Sequence, residues 1–177
     1  MSWRDFYRRR DVIDTVLRLA RHDPEGELPF DEVAGAAELF GTEQDLLLAL
    51  HHKWTRLLSG YLRAESACPD DANALPNQET DQIDAVSRAW TKTTREHTTL
   101  RAVLDAHIDE SAALLAMHHA EQRMLAVTAG LAEPGEPVAE LTKIGVAFGA
   151  LLRSGPARPV RRRSPVGQLL RMLAPSA

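Results

Sequence analysis

Apolar residues recur at three- and four-residue spacing along most of the chain, the period of helices that turn one face to a core. The pattern is broadest over Phe40 to Glu65, where Leu46, Leu47, Leu50, Trp54, Leu57, Leu58 and Tyr61 share a face. Thr42 is placed to cap this helix, and Glu43 and Asp45 put negative charge on its first turn. A face that wide must be covered by other helices.

On the N-terminal side, Val12, Ile13, Val16, Leu17 and Ala20 predict a short amphipathic helix, ended by His22-Asp23-Pro24-Glu25-Gly26. Upstream, Trp3, Phe6 and Tyr7 are interleaved with Arg4, Arg8, Arg9 and Arg10. Such a segment can stack on nucleic-acid bases or rest on a membrane surface. We prefer a third reading, in which it extends the first helix and buries its aromatics on the bundle with the arginines outward. Pro29 to Leu39 is a compact connection with room for one short helix over 30–37.

Beyond the central helix, Ser66 to Glu79 has the prolines, asparagines and low apolar content of a linker. Ile83, Val86 and Trp90 then mark a helix over 81–97, and the threonines around His97 predict a break there. A short helix with Leu100, Val103, Leu104 and Ile108 follows, then one over 111–131, a turn at Pro134 to Pro137, and a last helix over 138–152. Gly145 and Gly149 share a face of that last helix, so a neighbour can approach closely, within the chain rather than between copies. The fold expected is all-α, a single-domain bundle of five or six helices over residues 1–155.

Composition sharpens this picture. Only 5% of the residues are aromatic while 44% are apolar, so the core is built mainly from Leu, Ala, Val and Ile, which suits helices. The single cysteine, Cys68, excludes an internal disulfide, and Asp70 and Asp71 beside it disfavour a reactive thiolate. With neither a signal-peptide core nor an apolar run of about 18 residues, the expected location is cytoplasmic, without a transmembrane segment. The net charge of -4 hides an acidic body between two basic ends. In the tail, 156–177, Arg161, Arg162 and Arg163 form a cationic cluster, and Leu169 and Leu170 lie in a short amphipathic stretch. This segment is expected to be mobile and to dock on an acidic partner, whether protein, lipid or the chain's own body.

Phe40-Gly41-Thr42-Glu43-Gln44-Asp45-Leu46-Leu47-Leu48-Ala49-Leu50 resembles the segment that opens a long helix in TetR-type one-component regulators, and Val12 to Ala20 resembles their first helix. Between these two the family carries a helix-turn-helix whose second helix reads the major groove. Here only Pro29 to Leu39 is available, with Asp31, Glu32 and Glu38 and no Arg or Lys. An acidic helix facing phosphates is disfavoured, so no sequence-specific DNA binding is expected. The resemblance then implies a helical scaffold for ligand binding or dimerisation without a DNA reader.

Candidate chemistry rests on the histidines. His51 lies with Leu47, Trp54 and Leu58; His97 continues the Val86 and Trp90 stripe; His118 shares a face with Leu114, Glu121 and Leu125. Three histidines and a carboxylate could therefore point into one interior, as in bundles that hold metals. The single His118-x-x-Glu121 reverses the di-iron spacing and has no second copy. No Gly-rich phosphate loop or nucleophile elbow is present, so neither a catalytic residue nor a cofactor is implied. His51, Trp54, Trp90, His97, His118 and Glu121 are the candidate ligand-binding residues of a non-catalytic regulatory or binding protein, expected to be a homodimer. The alternative is a metal-binding bundle with a redox or storage role.

Overall fold

The computed structural model describes residues 3–67 and 78–154. Its helices are α1 (Trp3–Leu19), α2 (Ala36–Phe40), α3 (Glu43–Ala67), α4 (Gln78–Glu96), α5 (Thr98–His107), α6 (Ala112–Thr128) and α7 (Val138–Arg153), with one 3₁₀ turn, Ile108–Glu110, between α5 and α6. The protein is an all-α single-domain bundle, with no strand among the described residues. None of these helices is long and apolar enough to cross a membrane.

Among the described residues there are seven helices rather than five or six, and local chemistry sets the extra boundaries. Gly35 and Gly41, at φ 85° and 80°, adopt left-handed backbone that side chains disfavour, and between them they isolate α2. The short helix expected over 30–37 is thereby displaced to 36–40, and Phe40 ends α2 instead of opening α3. Thr42 caps α3 as expected: its Oγ1 accepts the Asp45 N–H at 3.1 Å and its hydroxyl donates to the Asp45 carboxylate at 2.6 Å. The break at His97 separates α4 from α5. Ser111 caps α6 by accepting the Leu114 N–H. Both ends of the expected 66–79 linker are helical, while the rest of it, with Cys68, lies outside the described residues. So does the tail, with Arg161, Arg162, Arg163, Leu169 and Leu170.

α3 is the axis of the bundle and packs along α4, α5 and α6. Leu46, Leu50, Trp54 and Leu58 on its inner face are fully buried, against Val86 and Trp90 of α4, Val103 and Leu104 of α5 and Leu114 and Leu125 of α6. α7 lies against α6 through Gly145, where a Cβ would stand 2.7 Å from the Gln122 backbone. The glycines thus serve packing within the chain.

At α1 the expectation is reversed. The helix does extend to Trp3, but Trp3, Phe6 and Tyr7 are exposed, at 78%, 45% and 53% of their surface. Two of the arginines turn toward the body instead. Arg8 makes a two-point ion pair with Glu38 of α2 (3.2 and 2.9 Å), and the Arg9 guanidinium lies 4.6 Å from the centre of the Phe40 ring.

Candidate functional site

α3 and α6 each carry polar side chains within an apolar stripe. At 100° per residue His51 and Trp54 fall with Leu47 and Leu58, and His118 and Glu121 fall with Leu114 and Leu125. Packing the two stripes together encloses the polar groups: His51, Glu121 and Gln122 are each 3% exposed and His118 is 6% exposed. Burial at this level requires partners for charge and hydrogen bonds.

Glu121 is the hub. Its Oε1 accepts the indole N–H of Trp54 at 3.0 Å and an Arg101 N–H at 3.2 Å. Arg101, from α5, is itself buried and sits in the corner of the T formed by Trp54 and Trp90, 5.2 and 5.0 Å from their ring centres. Its other side makes a two-point pair with Asp105, Nε donating at 2.9 Å. Arg101 thus bridges Asp105 and Glu121, and the other oxygen of the Glu121 carboxylate is turned toward the imidazoles. Burial raises the Glu121 pKa, but contact with His51, the Arg101 charge and the Trp54 indole together outweigh it and hold the group below the usual carboxylate range.

The second oxygen, Oε2, is in a different situation. It stands 3.1 Å from His51 Nε2, yet neither atom makes an aligned hydrogen bond. The opposite ring nitrogen, His51 Nδ1, lies 3.4 Å from Thr55 Oγ1, whose proton is engaged by the His51 carbonyl at 3.0 Å. Thr55 Oγ1 is thereby left to accept from an Nδ1–H. An imidazole nitrogen and a carboxylate oxygen this close are held together by a proton or a cation between them.

His118 completes the group. One donor atom from each of His51, His118 and Glu121 lies within 4.8 Å of the other two. His118 Nε2 is 2.8 Å from the Gln122 amide nitrogen, and its Nδ1 is buried without a hydrogen bond, as is Gln122 Oε1. Burial first, opposed by the Glu121 charge, lowers the His118 pKa to about 4, so the ring is neutral at pH 7 and able to ligate. Each of the three residues has one polar atom held by a neighbour and one left orphaned.

Of the six candidates, the structure brings His51, Trp54, His118 and Glu121 together, with Trp90 behind Arg101. His97 does not join them. The helix break makes it the residue before α5, half-buried, with its backbone bonded to Thr93 and Arg101. His107 is buried but satisfied by the Val103 carbonyl at 2.8 Å. Sequence reasoning missed Arg101, Asp105 and Gln122. The Arg101 to Asp105 spacing of four inside an apolar segment was the available signal. Comparison with known proteins gives no matching family model, no matching curated protein and no matching solved structure.

Proposed function

We propose that this chain is a non-catalytic binding protein whose ligand is a divalent transition-metal ion, held by His51, His118 and Glu121. The observation that carries the reading is the convergence of three buried donor groups within 4.8 Å, with His51 Nε2 and Glu121 Oε2 at 3.1 Å without an aligned hydrogen bond. Two ligands each about 2.1 Å from one ion stand roughly 3.4 Å apart in a tetrahedron, close to that separation. A small movement of the His118 ring would close the rest of the set. Two imidazoles and one carboxylate suit zinc and neighbouring first-row metals, whereas calcium and magnesium select all-oxygen sites.

The surrounding residues supply what metal ligands need from their neighbours. Trp54 and Arg101 fix Glu121 through Oε1 and leave Oε2 to the ion. Thr55 orients His51. Gln122 governs the His118 tautomer: with its amide turned so that Oε1 accepts an Nε2–H, the Nδ1 lone pair is freed to ligate. The ligands are sealed from solvent, which favours retention over turnover. The expected homodimer remains part of this reading, supported by the outer side of α7, where Val146, Ala147, Ala150 and Leu151 are exposed. Light scattering on wild type and Leu151→Glu tests that part, a monomeric wild type removing it.

Zinc binding tests the main reading. After removal of bound metal by a chelator, titration calorimetry should find one zinc per chain, and zinc at 100 times its Kd should stabilise the fold by about 2.7 kcal/mol. His118→Ala and Glu121→Gln should each weaken binding by at least tenfold, while His119→Ala should leave it unchanged. Absence of stoichiometric binding by zinc, cobalt, nickel, manganese and iron would overturn the reading.

A further inference from the structure

The first two turns of α1 present a surface that the metal site does not use. Trp3, Phe6 and Tyr7 cluster on one side of the helix, with ring centres 5.7 to 6.4 Å apart, and all three remain exposed. At 100° per residue this side is roughly opposite Val12 and Val16, which anchor α1 to the core, so the aromatics project away from the body. Arg10 lies on the same side, as does Asp14, whose carboxylate is paired with Lys53 at 2.6 Å and stands 3.7 Å from Arg10; Arg4 flanks the side, and both arginines are exposed.

We propose that this end of α1 is an interfacial anchor that docks on an anionic lipid bilayer, with the three aromatic rings at headgroup depth and Arg4 and Arg10 on lipid phosphates. Tryptophan and tyrosine favour that boundary because an apolar ring and a polar edge are satisfied there together, and arginine adds attraction to anionic headgroups. Other occupants fit less well. With side chains of about 150 to 250 Å² each, the exposed parts of the three rings sum to roughly 400 Å², so two copies burying this patch against each other reach only about 800 Å², below the 1,200 Å² or so of a stable dimer. A nucleic acid would need more cations than this side offers, since Arg8 and Arg9 are engaged with Glu38 and Phe40. The chain's own tail is arginine-rich and of the same sign.

Trp3 supplies a direct reporter, because Trp54 and Trp90 are buried. The full chain is mixed with vesicles of phosphatidylcholine alone or of phosphatidylcholine with phosphatidylglycerol. Flotation with the anionic vesicles, a blue shift of the tryptophan emission and loss of flotation in Trp3→Phe/Phe6→Ser/Tyr7→Ser, with melting behaviour kept, are expected. Partitioning should fall by about tenfold or more in Phe6→Ser/Tyr7→Ser, less in Arg4→Gln/Arg10→Gln, and should weaken with salt. No partition onto anionic vesicles overturns the proposal. So does a finding that the aromatic substitutions dissolve a dimer or abolish RNA binding while leaving vesicle binding intact.

Discussion

Two aromatic clusters, each with arginines in attendance, meet opposite fates in this molecule. Trp54 and Trp90 close over Arg101 in the interior, whereas Trp3, Phe6 and Tyr7 face outward while Arg8 and Arg9 turn toward the body. The difference lies in helix phase and in where counter-charges are placed: Trp54 and Trp90 fall on the core stripes of α3 and α4, whereas Trp3, Phe6 and Tyr7 oppose Val12 and Val16 on α1. Arg101 is buried because Asp105, on its own helix, and Glu121, on α6, share its hydrogen bonds, and two indole faces replace part of its hydration. At the edge of the fold Glu38 on α2 captures Arg8, and that pair helps fix the rotation of α1. Helix phase therefore decides which rings are buried, and the nearest carboxylates decide where the neighbouring arginines lie.

Substitutions in the inner cluster should have the largest effects. Arg101→Met, which leaves two carboxylates without their partner, should cost about 3 to 5 kcal/mol in denaturant melts, and Glu121→Gln in the same chain should recover part of that loss. Trp54→Ala removes a fully buried ring and the indole donor to Glu121, for a similar loss of about 3 to 5 kcal/mol. Trp3→Ala should change stability by less than about 0.5 kcal/mol. A loss below 1 kcal/mol for Trp54→Ala, or above 2 for Trp3→Ala, would reverse the assignment of the two clusters.

A smaller effect comes from pH. Folding lowers the His118 pKa from 6.5 to about 4 in the metal-free protein, chiefly by burial. Between these values the unfolded chain binds the extra proton, so stability is full above about pH 6.5 and falls as pH drops toward 4, by at most about 3 kcal/mol. Glu121, held below its ordinary value, contributes stability that is lost only at still lower pH. His118→Gln should flatten the upper part of the profile, and an unchanged slope would show that other groups set it. Last comes Gly149→Ala. Its Cβ would lie 3.1 Å from the Gln122 amide nitrogen, so it should cost about 1 kcal/mol or less in stability while hindering the turn of that amide and weakening zinc binding severalfold. Equal zinc affinity in wild type and Gly149→Ala would remove Gln122 from the account.

Helix positions were legible because the three- and four-residue spacing along α3, α4, α6 and α7 reports directly on burial. Membership of His51, His118 and Glu121 in one interior followed from the same spacing. The outward turn of Trp3, Phe6 and Tyr7 was also present in the sequence, since at 100° per residue they oppose Val12 and Val16. The expectation that aromatics turn inward and arginines outward overrides that phase. Arg101 was hidden for a different reason: a charged residue in an apolar segment reads as solvent-facing until its two partners, one 20 residues away on another helix, are placed around it. The exclusion of His97 depended on the helix break, which turns a shared stripe into two unrelated phases.

The claim that His51, His118 and Glu121 converge on one metal ion is tested most directly by anomalous diffraction at the zinc edge from crystals of the zinc-loaded protein. A single strong peak is expected inside the bundle, about 2.0 to 2.2 Å from His51 Nε2, a His118 ring nitrogen and Glu121 Oε2, with Trp54 and Arg101 still on Oε1. A peak only at surface residues such as His52 or His119, or an interior in which His51 and Glu121 share a proton and no metal, would contradict it.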